Sequence, residues 1–229
     1  MSDGMNFDDI EFAENSDARA PLIICVDESG SMGDKRPGED RSPIEALDSG
    51  LDSLVSSLAS DPLARRRCEI SFVTYSSQVN NVTDFATIDN LILPNLQAGG
   101  LTATGAALNA CLDKLEERKK TYKQNGISMY RPFLVLLTDG LQTDNVDKAA
   151  KRIAEYEASK KVAFFPVGIS GFDPEGLKEI CPPGKEPLAL SGLKFDEFFQ
   201  WLSASQSAVS ESNVGDKVAL PNPSGWAEI

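Results

Sequence analysis

The chain has no histidine among its 229 residues. That absence removes imidazole general bases, Ser-His-Asp and Cys-His nucleophile pairs and His-based zinc sites. Cationic residues are scarce as well: 22 Lys and Arg stand against 35 Asp and Glu, a formal charge of −13. Affinity for DNA, RNA or an anionic bilayer needs clustered Lys and Arg, so no nucleic-acid or membrane role is expected. The short runs Arg65-Arg66-Arg67 and Arg118-Lys119-Lys120 are expected at helix ends, where cations complement the dipole. Cys25, Cys68, Cys111 and Cys181 show no CxxC spacing, and Cys25 and Cys111 fall on apolar faces. They read as small buried thiols suited to a reducing cytoplasm. No apolar run approaches the roughly 18 residues that cross a bilayer, and residues 1–20 are acidic, without the basic and apolar regions of a signal peptide.

What the chain does have is an alternation of apolar strands and amphipathic helices. Leu22–Val26, Glu69–Tyr75, Phe133–Thr138 and Val162–Val167 read as strands, and Pro187–Leu190 as a last one. Residues 78–82, close behind a Ser76-Ser77 turn, read as a short antiparallel edge strand. Ser42-Pro43-Ile44-Glu45 is a capping box with proline at the first helical position; Ile44, Leu47, Leu51, Leu54, Val55 and Leu58 then follow at helical spacing. Further helices are expected over 105–122, 145–160 and 174–180, and from about Asp196 through Val209. The alternation predicts an α/β fold: a Rossmann-like, doubly wound, mostly parallel sheet with one antiparallel edge strand and helices on both faces. The expected organisation is a mobile acidic leader over 1–20, with Phe7, Ile10 and Phe12 as its candidate anchors, then one domain over 21–209. A tail over 210–229 packs back through Val218, Leu220 and Trp226, because an exposed Trp226 would make it sticky.

Chemistry concentrates at strand ends. Asp27-Glu28-Ser29-Gly30-Ser31 follows the first strand, and Thr138-Asp139-Gly140 ends the most apolar one. Thr102 lies just before the second long helix. In an open parallel sheet, loops converge at the C-terminal edge of the strands, so Asp27, Ser29, Ser31, Thr102 and Asp139 can meet there. Two carboxylates and three hydroxyls make an oxygen-only site suited to Mg²⁺ or Mn²⁺. With only two formal negatives, the ion would stay electrophilic enough to accept an acidic side chain from a protein partner.

The Asp27-x-Ser29-x-Ser31 string with Thr102 and Asp139 resembles the metal-ion-dependent adhesion site (MIDAS) of von Willebrand factor type A domains, over roughly Pro21 to Val209. Pro43–Leu47, Arg131-Pro132-Phe133, Leu136–Gly140, Trp201–Ser205 and Pro223–Ala227 are similar to bacterial TerY-type proteins of tellurium-resistance gene clusters. The resemblance implies a Rossmann-like sheet and a cytoplasmic, non-catalytic, metal-bridged protein-binding role, with a protein kinase or a PP2C-type phosphatase as associated partners. It further implies that Ser29, Ser31 and Thr102 ligate directly or through water, and that Asp27 and Asp139 act largely through water. The chain departs from the family pattern with Glu28 after the first Asp, which adds negative charge near the ion, with Leu101 before Thr102, and with a long charged stretch, Gly33–Arg41.

Two other readings compete. A Mg²⁺-dependent phosphohydrolase or phosphotransferase could use Asp27 as a phosphoryl acceptor, but the chain has neither a G-x-x-x-x-G-K-[ST] loop nor a G-x-G-x-x-G turn. An interaction protein independent of metal would work through the Trp226 tail or the leader. Asp144, Asp147 and Asp173 are expected to serve helix starts or turns.

Overall fold

All eight residues of β1, Ala20–Asp27, are buried, and the strand lies inside the sheet. A strand covered on both faces needs a continuous apolar run, which Leu22–Val26 supplies. Its side chains alternate between two cores: Leu22, Ile24 and Val26 belong to one, Ile23 and Cys25 to the other. The computed structural model describes residues 7–169, 171–223 and 226–228, the side chains of 7–10 and 228 excepted. The expected anchors Phe7 and Ile10 therefore lie outside the described side chains.

Around β1 the sheet runs in the order β3-β2-β1-β5-β6-β7-β8. β2 (Cys68–Tyr75), β5 (Phe133–Thr138), β6 (Ala163–Gly168) and β7 (Leu188–Leu190) run parallel to it or to one another. β3 (Val79–Val82) is the expected antiparallel edge strand beside β2. Two short antiparallel pairings join it: β4 (Ala86–Thr87) on β2 and β8 (Ala227–Glu228) on β7. Strands of two residues leave no period to read in a sequence.

The helices divide between the two faces. α2 (Pro43–Ser60), α3 (Pro62–Arg67) and α7 (Phe195–Glu211) close the first core, where Leu47, Leu51, Leu54 and Leu58 meet Phe195, Phe198 and Phe199. α4 (Thr104–Gln124), α5 (Asp147–Ala158) and α6 (Pro174–Lys178) close the second through Leu108, Leu112, Ile153 and Leu177. α2 starts with the full capping box: Glu45 N–H donates to Ser42 Oγ, and Ser42 N–H to Glu45 Oε2. Asp61 caps α3, whose last turn carries Arg65, Arg66 and Arg67. The second basic run behaves otherwise: α4 continues to Gln124, and Arg118 is buried within it.

Within the leader, Phe7–Glu14 is a helix, α1, and Phe12 is buried edge-on against Tyr122. At the other end Trp226 is 2% exposed, with its ring 4.8 Å from Phe198 and 5.3 Å from Trp201. Trp201 Nε1 donates to Pro221 O at 2.8 Å. The cysteines are free thiols, Cys25, Cys68 and Cys111 fully buried. No helix among the described residues is long and apolar enough to cross a membrane.

Candidate metal centre

Register places the two aspartates. β1 pairs with β5 from Leu22↔Phe133 to Val26↔Leu137, so Asp27 comes level with Thr138 and one residue from Asp139. Thr138 Oγ1 donates to Asp27 Oδ2 at 2.5 Å, and Ser29 N–H donates to Asp27 Oδ1 at 2.8 Å. Both oxygens of Asp27 are therefore oriented. Ser29 Oγ lies 3.3 Å from Ser31 Oγ, and Ser31 Oγ donates to Asp139 Oδ1 at 2.8 Å. A single turn of 3₁₀ helix, Gly30–Gly33, brings Ser31 back toward Asp139.

Thr102 is placed by clamps from distant loops. Its N–H donates to Thr143 Oγ1 and its carbonyl accepts from Thr143 N–H. The residue at the N-cap of α4, Ala103, makes no side-chain cap. Asp144 supplies that function from 39 residues away, accepting from Gly105 N–H at 2.9 Å and Ala106 N–H at 2.8 Å. Gly105 must be glycine here, since a Cβ would stand 2.3 Å from Asn145 O. The helix start that follows Thr102 is thus locked to the loop that follows Asp139. A Cβ on Gly140 would lie 3.1 Å from Thr102 Oγ1 and 3.6 Å from Asp27 Oδ2. The missing side chain keeps Thr102 and Asp27 open to a shared space.

Glu28 also has a structural task. Its carboxylate is engaged away from the aspartates, accepting from Asn80 Nδ2 at 2.7 Å and Gln97 N–H at 3.0 Å. Gly99 N–H adds a bond to its carbonyl. Glu28 therefore ties the segment leading to Thr102 onto β1.

The charged stretch contributes a residue that sequence reading did not single out. Arg36 Nη2 donates to Asp139 Oδ2 at 2.5 Å, and Gly171 lies against the same guanidinium. Asp139 thus has a cation; Asp27, fully buried, has no ion pair among the described residues. Burial pushes the Asp27 carboxyl up from 3.8 to about 6, against the lowering effect of the Thr138 and Ser29 hydrogen bonds. A buried carboxylate facing neutral hydroxyls is under-neutralised, and the oxygen-only donor set fits a hard divalent cation. Asp27, Ser29, Ser31, Thr102 and Asp139 would hold it. Groups of three or more Cys, Asp or Glu arranged for a metal do not occur among the described residues, so a site here depends on hydroxyls.

A family model described as the von Willebrand factor type A domain matches residues 22–200. The chain is similar in structure to the pilus adhesin SpaC from Lactobacillus rhamnosus GG, with TM-score 0.65 and 14% identity over 85% of this chain and 32% of that one. It is also similar to the minor pilin PilB from Streptococcus sanguinis, with TM-score 0.58 and 14% identity over 84% of this chain and 62% of that one. A third likeness is to proximal thread matrix protein 1 from the mussel byssus, solved with a zinc-occupied MIDAS motif: TM-score 0.53, 17% identity, 84% of this chain and 49% of that one. The chain therefore spans less than two thirds of the length of each, and at these identities the likeness is one of fold. No curated protein matches the chain. With the family model covering most of the sequence over the sheet and helices described above, the chain belongs to the von Willebrand factor type A domain family.

Proposed function

We propose that the protein is a non-catalytic, metal-dependent protein-binding module. The observation that carries this reading is Asp27: a fully buried carboxylate, oriented on both oxygens, with hydroxyls rather than a Lys or Arg beside it. A divalent ion, Mg²⁺ or Mn²⁺, would supply the missing positive charge and a coordination position for an acidic side chain of the partner. Ser29, Ser31 and Thr102 contribute neutral donors that leave the ion electrophilic. Arg36 shares Asp139 and therefore competes with the ion for that carboxylate. The ion also gives an acidic partner a local attraction on a molecule of net charge −13. A cytoplasmic setting fits the reduced cysteines. The similarity to TerY-type proteins makes a kinase or a PP2C-type phosphatase of a tellurium-resistance or stress-response system the partner to test first.

The phosphohydrolase reading fares worse, since Asp27 is fully buried and both its oxygens are already hydrogen-bonded. A phosphoryl acceptor must present an oxygen for in-line attack. Trp226 is equally unsuited to be an exposed docking anchor, being buried among Phe198 and Trp201.

The test is thermal melting with and without Mg²⁺, on wild type and Asp27→Ala. At ten times its dissociation constant the ion stabilises the fold by about 1.4 kcal/mol, a melting shift of roughly 3 to 6 °C. The shift is expected in wild type alone. Melting that ignores Mg²⁺ and Mn²⁺ in both proteins, or hydrolysis of an aryl phosphate abolished by Asp27→Asn, overturns the proposal.

A further inference from the structure

At the edge of the sheet opposite the aspartates, where β5 and β6 begin, a cavity of about 690 Å³ lies between the sheet and the irregular segment 212–220. Its apolar lining includes Phe133, Val209, Val218 and Leu220. Its polar lining runs against the charge of the molecule. Lys119, Arg131, Lys160, Lys161 and Lys217 surround it, against the carboxylates of Glu116 and Asp216, in a chain whose net charge is −13. Lys119 and Arg131 are answered by Glu116 and Glu157. Lys160, Lys161 and Lys217 make no ion pair among the described residues, although Lys161 Nζ lies 5.4 Å from the centre of the Tyr156 ring and acts on the Glu116 carboxylate.

Lys160 stands in a conformation that disfavours any side chain. It follows the C-cap of α5 with φ 57°, the only non-glycine residue at positive φ among those described. Lys160 N–H donates to Glu157 O and Lys161 N–H to Tyr156 O. That pair of bonds is the Schellman motif, whose left-handed position usually holds glycine. A lysine there strains the backbone and sets a cation on the rim of the cavity. The segment across the cavity is fixed at both ends: Tyr130 Oη donates to Ser212 O at 2.7 Å, and Trp201 Nε1 to Pro221 O.

We propose that this cavity binds a small amphipathic carboxylate, with its apolar body against Phe133, Val209, Val218 and Leu220 and its carboxylate among Lys160, Lys161 and Lys217. The volume falls within the roughly 300–1,000 Å³ of small-molecule sites, and charge complementarity selects an anion. The site is independent of the metal reading, since it lies at the other edge of the sheet.

The experiment is calorimetric titration of the full chain with decanoate, and with decanol as a neutral ligand of equal chain length. Decanoate should saturate one site, and decanol should bind weaker by roughly tenfold. Lys160→Gly relieves the positive-φ strain, so it should melt no lower than wild type while binding decanoate roughly fivefold more weakly. A purely structural Lys160 would leave affinity unchanged. Absence of one-to-one saturation, equal affinity for decanol, or unchanged affinity in Lys160→Gly overturns the assignment. So does an acidic peptide that binds tighter than decanoate, which would make the occupant a protein.

Discussion

Two buried polar clusters sit at opposite edges of the same sheet, and they differ in how their charges are answered. Where β1 and β2 begin, one buried carboxylate, Glu69, accepts from Arg19 Nε at 2.7 Å, from Arg118 Nε at 2.8 Å and from Tyr122 Oη. The ring of Phe12 lies 5.3 Å from the Arg19 guanidinium and 5.0 Å from that of Arg118. Arg19 donates further to the carbonyls of Asp17 and Asn15. Where β1 and β5 end, two carboxylates stand with one guanidinium, and Arg36 pairs with Asp139 alone. The first cluster is closed by its own residues. The second leaves a buried carboxylate without a cation, which disfavours the fold on its own and favours whatever positive charge can be captured.

The largest expected effect breaks the closed cluster. Glu69→Ala removes the buried carboxylate that Arg19 and Arg118 share and should cost about 3–5 kcal/mol, read as a lower denaturant midpoint with an unchanged slope. Loss of less than about 1 kcal/mol would mean that the network adds little beyond its packing. The open cluster should respond with the opposite sign. Because the Asp27 carboxyl is raised, its contribution to stability is full below about pH 3.8 and is lost as pH rises through about 6. At pH 7.5 in EDTA, Asp27→Asn should therefore be more stable than wild type by up to about 3 kcal/mol. The variant should also lose much of the wild-type decline in stability between about pH 4 and 7. A destabilised Asp27→Asn in EDTA would show that the site is as closed as the first.

Arg36→Ala sharpens the contrast by removing the internal cation. Mn²⁺ should bind roughly five- to tenfold tighter, measured by electron paramagnetic resonance of the free ion; weaker binding would make Arg36 a support of the site rather than a competitor. The smallest effect concerns the clamp on Thr102. Asp144→Ala removes the remote cap of α4 and should cost about 1 kcal/mol, visible in melting and as faster amide exchange at Gly105 and Ala106.

Local signals carried the architecture into the sequence. The Ser42–Glu45 box, the helical spacing from Leu47 to Leu58 and the unbroken run Leu22–Val26 each act over a few residues, so their chemistry is written consecutively. The positions of Asp27 and Asp139 at strand ends were legible for the same reason. What stayed hidden depends on register between remote segments. Arg36 reaches Asp139 across 103 residues, Asp144 reaches Gly105 at the start of α4 across 39, and Arg118 meets Glu69 across 49. A basic run at one end of a helix and a guanidinium buried in its middle look alike until the neighbouring strand is placed. The hydrogen bonds of Glu28 stayed hidden likewise, since its partners Asn80 and Gln97 belong to segments brought alongside only by folding. Half of α1 is Asp or Glu, and its buried Phe12 meets Tyr122 and Arg118 of a helix far along the chain.

The pairing of Ala227–Glu228 with Ala189–Leu190 has a consequence for life at high concentration. An outermost strand exposes a row of unsatisfied amides and carbonyls on which a second molecule can template itself. In this protein the row on β7 is occupied by the chain's own last turn back from Trp226, whose carbonyl also accepts from Ser191 N–H. An aromatic ring sunk into the interior thereby acts as the bolt that holds a two-residue strand, too short to template a partner, at that edge of the sheet.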